Sequence, residues 1–118
     1  MEMEEFERII EGSLQLLPKK FKDILTKEHI SVIPREIVPE PLQELYPGHT
    51  VFGVFIGVPY GRFTNIQTEP TRIELYKESF ERIFPDEDEI RRQILRTVMH
   101  EIGHYFGFNE DEIKNLGY

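Results

Sequence analysis

The stretch that decides the fold is residues 86–107, DEDEIRRQILRTVMHEIGHYFG. Its apolar residues recur at steps of three and four, which is the spacing of one face of an α-helix. Asp86 is a residue type that caps helix N-termini, and Glu89 follows three positions later as in a capping box. Gly107 suits the left-handed conformation in which many helices end. The pattern therefore predicts one long helix that begins after Pro85 and runs to about Phe106.

This helix carries two histidines and a glutamate at a spacing that favours metal chemistry. His100 and His104 are separated by about 40° around the helix and one turn along it, so both imidazoles can reach one zinc ion. Glu101 lies about 100° from His100, beside the metal position, where a general base can take a proton from a metal-bound water. On a helical wheel both histidines fall at the margin of the apolar face. We therefore expect the site to line a cleft beside the core.

A third ligand is predicted beyond the end of the helix. A glycine at position 107 allows a sharp turn, and such a turn can bring a residue three positions later towards the two histidines. That residue is Glu110, and carboxylates are ordinary zinc ligands. Asp111 follows directly and is the alternative ligand. Three protein ligands would leave one coordination position open for water, which is typical of catalytic zinc sites.

The rest of the chain predicts an α+β fold, with a small mixed β-sheet flanked by helices and the motif helix packed under it, in one domain over residues 1–118. Residues 4–27 have helical periodicity with a break at Pro18. Residues 29–38, 50–60 and 71–76 are predicted strands, with Pro34 indicating an edge or a bulge. Residues 39–48 and 61–70 are predicted loops, and residues 77–84 and 111–116 short helices.

Composition limits the possible functions. The chain has 118 residues, no Cys and a formal net charge of −8. The absence of Cys leaves His and carboxylates as the ligands for zinc. An acidic chain is not expected to bind nucleic acid, because phosphate contacts need clustered Lys and Arg. With neither a signal peptide nor a membrane-spanning run in the sequence, we expect a cytoplasmic protein without membrane association.

The stretch HEIGHYFGFNEDE at residues 100–112 resembles the zincin metallopeptidases, and its form HExxHxxGxx(E/D) is similar to the extended motif of the metzincin branch. The short chain and the position of the motif resemble the bacterial minimal zincin-like metallopeptidase family. This resemblance implies that His100 and His104 are zinc ligands, that Glu101 is the base and that Gly107 makes the turn. Metzincins usually have His where this chain has Glu110, and they have a methionine turn that residues 109–118 lack.

Other residues are expected to have structural roles. His29 and His49 are predicted to lie at the surface or in caps, and Tyr105 is predicted to pack in the core. Arg92 and Arg96 are predicted to form a solvated face that pairs with nearby acids. Residues 60 and 62, a tyrosine and an arginine, belong to a loop that can border the cleft.

The function predicted from the sequence is hydrolysis of a peptide or protein substrate by a zinc-activated water. Three alternatives remain at this point: a zinc hydrolase acting on a non-peptide amide or ester, a catalytically silent zinc-binding module, and an acidic interaction protein. The oligomeric state is not indicated by any pattern in the chain.

Overall fold

The computed structural model describes residues 1–57, 71–107 and 110–115. Within these ranges the chain forms six helices and three strands. In chain order they are α1 (Met3–Gln15), α2 (Lys19–Lys27), β1 (Ser31–Arg35), α3 (Glu40–Leu45), β2 (Gly53–Ile56), β3 (Arg72–Tyr76), α4 (Lys77–Ile83), α5 (Glu87–Phe106) and α6 (Glu110–Asn115). The break predicted at Pro18 separates α1 from α2, where this proline is the N-cap residue of α2.

The three strands form one mixed sheet in the order β1-β3-β2. Strand β1 runs parallel to β3, with Ser31 opposite Arg72, and β2 runs antiparallel to β3, with Gly53 opposite Leu75. The predicted α+β class with a small mixed sheet is confirmed. Pro34 lies in β1, which is an edge strand of this sheet, as expected for a residue without a backbone N–H.

The core lies between the sheet, α1 and α5. Its fully buried side chains include Phe6, Ile73, Phe80, Ile94 and Ile102. Each such burial stabilises the fold by about 1.5–3 kcal/mol relative to exposure. A buried serine, Ser13, also joins the two long helices, since its single hydroxyl proton is shared between the backbone oxygens of Ile9 at 2.9 Å and Arg91 at 3.0 Å from Oγ.

Helix α5 begins and ends where the sequence predicts. The side chain of Asp86 accepts a hydrogen bond from the backbone N–H of Glu89 at 2.8 Å, and Gly107 ends the helix with a φ of 83°. Only this half of the predicted capping box forms. The carboxylate of Glu89 instead accepts hydrogen bonds from the side chains of Arg92 and Gln93.

The predicted loop over residues 39–48 is wrong in part, because it contains helix α3. Pro39 is the N-cap residue of α3, and Pro41 lies in its first turn. Proline is tolerated there because first-turn N–H groups have no partner inside the helix. The prolines that indicated a loop therefore begin a helix.

Strand β2 is shorter than the predicted strand over residues 50–60, of which residues 58–60 lie outside the described part of the chain. The predicted loop over residues 61–70 also lies outside it. Among the described residues, no helix combines the length and the apolar character needed to span a membrane.

Candidate metal centre

The motif helix α5 passes directly beneath strand β2. A Cβ atom on Gly53 would lie 2.9 Å from the backbone oxygen of Glu74 and 3.1 Å from Cγ2 of Thr97, so the strand and helix approach closely because this residue has no side chain. Further along, the rings of Phe55 and Tyr105 stack with centroids 4.0 Å apart. These contacts fix the strand relative to the two predicted metal ligands.

A cleft of about 800 Å³ lies between β2 and α5. One wall is formed by Phe52 and the first three residues of strand β2, Gly53 to Phe55. The other wall is a face of α5, and it carries Gln93, Arg96, Thr97, His100 and Glu101. The prediction that the motif lies beside the core is therefore met by His100 and Glu101, which line this cleft. His104 is exposed and is not among its described lining residues.

The two histidines lie near each other on one face of α5. Their ring centroids lie 6.2 Å apart with the planes inclined at 48°, and the Nε2 atom of His100 is buried. A zinc ion with nitrogen ligands at 2.0–2.1 Å lies about 3 Å from each ring centre. A separation of 6.2 Å is thus near the upper limit for one ion held by both rings. The donor set fits zinc.

Glu101 is held beside this pair by the sheet. The backbone N–H of Phe55 donates a hydrogen bond to its carboxylate, which joins the motif helix to the edge strand. Burial raises the pKa of Glu101, and the charge of His104 and the Phe55 hydrogen bond offset this only in part. A carboxylate with a raised pKa is a better proton acceptor, which suits a general base.

The position of the third ligand remains a prediction. Gly107 adopts the left-handed conformation, and α6 begins at Glu110, three residues later. The side chain of Glu110 lies outside the described part of the structure, whereas Asp111 is exposed. Among the side chains that are described, no three His, Asp or Glu residues gather at one point.

Two residues of the cleft, Arg96 and His49, lie where the sequence does not predict them. Arg96 was expected to pair with acids on a solvated face, but it lines the cleft and makes no ion pair with the described residues, whereas Arg92 does pair, with Glu89. His49, predicted to be a surface residue, is exposed but borders the far end of the cleft. The helical spacing of Arg96 from His100 was the available signal, because residues four apart share a helix face.

The structure describes Tyr105 and His29, for which the sequence predicts structural roles. Tyr105 is predicted to pack in the core, but it is half-buried at the cleft side and stacks on Phe55; burial raises its pKa, with a smaller contribution from Glu28. His29 is exposed with a positive φ of 53°. The tyrosine and arginine at residues 60 and 62 lie outside the described residues.

Comparison with known proteins identifies one family. A family model described as zincin-like metallopeptidase matches residues 28–118, which is more than half of the chain and includes β1, the cleft and both α5 and α6. No curated protein matches the chain.

Proposed function

Because the chain belongs to the zincin-like metallopeptidase family, we propose that it is a zinc-dependent peptidase. In this proposal His100 and His104 are zinc ligands, Glu110 is the third ligand and Glu101 is the general base. The observation that carries it is the position of Glu101, which lies in the cleft next to His100 and is held by the edge strand.

The roles of the protein groups follow from this geometry. Zinc, when bound, supplies a Lewis acid that acidifies a water molecule and polarises the carbonyl to be cleaved. The Phe55 N–H holds the Glu101 carboxylate in place at the cleft wall. From there Glu101 accepts a proton from the attacking water and transfers it to the leaving amine.

The edge strand favours a peptide over a small amide or ester. The backbone N–H of Tyr76 donates to the oxygen of Phe52 at 2.9 Å, which fixes the hydrogen-bonded positions of the β2–β3 pair. By alternation, Gly53 and Phe55 direct their backbone groups away from β3 and into the cleft. An extended peptide can add to such an edge by strand pairing. The Phe55 N–H is shared with Glu101, which leaves the carbonyl oxygens and the Gly53 N–H for a substrate.

The decisive experiment separates chemistry from metal binding. Glu101→Gln keeps the shape of the side chain and removes the base, so we expect normal zinc content and turnover of a diverse peptide pool lower by about 10²-fold or more. Glu4→Gln, an exposed change on α1, is the matched control and should behave like the parent protein. Chelation should abolish turnover and added zinc should restore it. Equal turnover by the parent and the Glu101→Gln protein would refute the mechanism.

Zinc stoichiometry tests the ligands independently of turnover. His100→Ala and His104→Ala should each abolish binding of one zinc per chain, whereas His29→Asn, at an exposed position with positive φ, should not. Glu110→Ala should weaken zinc binding more than Asp111→Ala, as measured by competition with a chromogenic chelator. The opposite order would assign the ligand to Asp111. Zinc bound without turnover by any variant would favour the silent binding module.

A further inference from the structure

Arg96 occupies a distinctive position in the cleft. It precedes His100 by four residues on α5, so the two side chains share one face of the helix, and both line the cleft. Four residues of helix correspond to a rise of about 6 Å. An extended peptide advances about 3.3 Å per residue, so the Arg96 backbone lies about two substrate residues from the metal position.

The surroundings of Arg96 differ from those of the other arginines on α5. Arg91 pairs with Glu87 at 3.0 Å, and Arg92 pairs with Glu89. By contrast, the positions three and four residues either side of Arg96 are Arg92, Gln93, Met99 and His100, none of which is acidic. Within the described residues Arg96 accordingly makes no hydrogen bond or ion pair. No described side chain therefore occupies the guanidinium donors of Arg96, and they can bind a group that enters the cleft.

The charge distribution indicates what that group is. The chain contains 22 acidic residues, yet Glu101 is the one carboxylate among the described residues that line the cleft. Glu101 is already held by the Phe55 N–H and the nearby His104 charge. A described cleft lining that contains an arginine and a single, already hydrogen-bonded carboxylate favours a negatively charged ligand there. Arginine binds carboxylates through two parallel hydrogen bonds, which gives both strength and geometric selectivity.

We propose that Arg96 is a specificity-determining residue that binds a substrate carboxylate one or two residues from the bond to be cleaved. This inference rests on the proposed peptidase function and specifies its substrate class. The carboxylate belongs either to an Asp or Glu side chain or to the free C-terminus of a short peptide. The chemistry at Arg96 is the same in both cases.

The test uses the full-length, zinc-loaded protein and blocked octapeptides with Glu or Gln at each position in turn. Versions of the same peptides with a free or amidated C-terminus distinguish the two sources of the carboxylate. We expect the parent protein to cleave the best acidic peptide with a kcat/KM about 10- to 100-fold above that of its neutral counterpart. Arg96→Gln should remove this preference, and Arg96→Glu should reverse it in favour of Lys-containing peptides. Arg92→Gln, on the same helix but paired with Glu89, is the matched control and should retain the preference.

A binding measurement keeps the outcome independent of turnover. Fluorescence anisotropy with the same peptides, on the Glu101→Gln protein with and without Arg96→Gln, should show tighter binding of acidic peptides that depends on Arg96. If acidic peptides bind selectively but the parent protein cleaves nothing, the peptidase function fails and the carboxylate site stands. The proposal is overturned if acidic and neutral peptides bind equally, or if Arg96→Gln and Arg92→Gln reduce the preference to the same extent.

Discussion

Glu74 and Glu101 are both carboxylates withdrawn from solvent, but their surroundings are opposite. Glu74 lies in the central strand with 5% of its surface exposed. Its carboxylate accepts hydrogen bonds from Nε of Arg72 at 2.9 Å and Nε of Arg35 at 3.2 Å. Glu101 lies at the cleft wall, where Phe55 provides a single backbone donor.

The pKa values of the two groups move in opposite directions for this reason. Burial acts to raise the pKa of Glu74, but the hydrogen bonds and charges of Arg72 and Arg35 outweigh it and hold the pKa below its ordinary value. Burial raises the pKa of Glu101, and among the described residues no arginine acts on its carboxylate to offset this. The two arginines beside Glu74 hold its carboxylate in the charged form, as in a structural ion pair. The raised pKa of Glu101 makes proton exchange easier, as in a reactive group. Burial alone therefore does not distinguish a structural acid from a reactive one.

The largest effect on stability is expected at the structural carboxylate. Glu74→Gln leaves Arg72 and Arg35 without their shared anion, so the free energy of unfolding should fall by about 2–3 kcal/mol. Urea denaturation measures this loss, and Glu5→Gln, an exposed change on α1, should show none of it. Peptide turnover by the folded fraction of Glu74→Gln should remain at the parent level. A loss of turnover without a loss of stability would contradict the assignment.

The stability difference between the parent and the Glu74→Gln protein should depend on pH. Because the folded-state pKa of Glu74 is depressed, its stabilising contribution is fully present above the unfolded-state pKa of about 4.3 and is lost as the pH falls through the folded-state value. The difference in stability between the parent and Glu74→Gln should therefore be constant near neutral pH and shrink in acid. Urea titrations at successive pH values measure this, and a constant difference down to the acid transition would contradict it.

A cation placed beside Glu101 should lower the pKa of its carboxyl group, as the two arginines do for Glu74. Thr97 lies four residues before Glu101 and lines the same cleft, so Thr97→Lys brings an ammonium group close to the carboxylate. We expect the acid limb of the pH–rate profile to move to lower pH and turnover to fall about tenfold, because a base with a lower pKa accepts protons less readily. Thr97→Gln, of similar bulk but neutral, separates charge from crowding. Identical pH profiles for the two variants would argue against Glu101 as the titrating base.

The smallest effect is expected for the melting temperature of the metal-free Glu101→Gln protein. Because the folded-state pKa of Glu101 is raised, the free energy of unfolding falls as the pH rises from the unfolded-state pKa through the folded-state pKa of this group. Glu101→Gln removes this cost, so in the presence of chelator its melting temperature at pH 7 should exceed that of the parent. The difference should vanish below about pH 4, where the carboxyl group is protonated in both states. A lower melting temperature at pH 7 would indicate that the carboxylate has a structural partner.

The local parts of this molecule could be predicted from the sequence, and the non-local parts could not. The capping by Asp86, the turn at Gly107 and the shared face of His100 and His104 depend on residues close together in the chain, and their pattern expresses them directly. The burial of Glu74 was not predicted, because alternation along β3 does not show that strands cover both of its edges or that Arg35 arrives from β1.

The cleft residues follow the same division. The sequence predicts a solvated face of the helix for Arg96. The placement of β2 above this face makes it a wall of the cleft. Pro39 and Pro41 predict a loop, but proline is equally compatible with the cap and first turn of a helix, which is where the structure places them. In both cases the residue type is compatible with two environments, and only the tertiary structure shows which one the residue occupies.

The stack of Phe55 on Tyr105 has a consequence for how the site assembles. It joins residues 50 positions apart in the chain, and the donor that orients Glu101 belongs to the same strand residue. Bringing residues so far apart in the chain into contact costs loop-closure entropy, which the packing of the rest of the fold must offset. A peptide cut from α5 would carry both histidines and the glutamate but not the amide that aims the glutamate. The two histidines proposed as zinc ligands are therefore placed together by one helix, whereas Glu101 is oriented only when strand β2 packs against that helix.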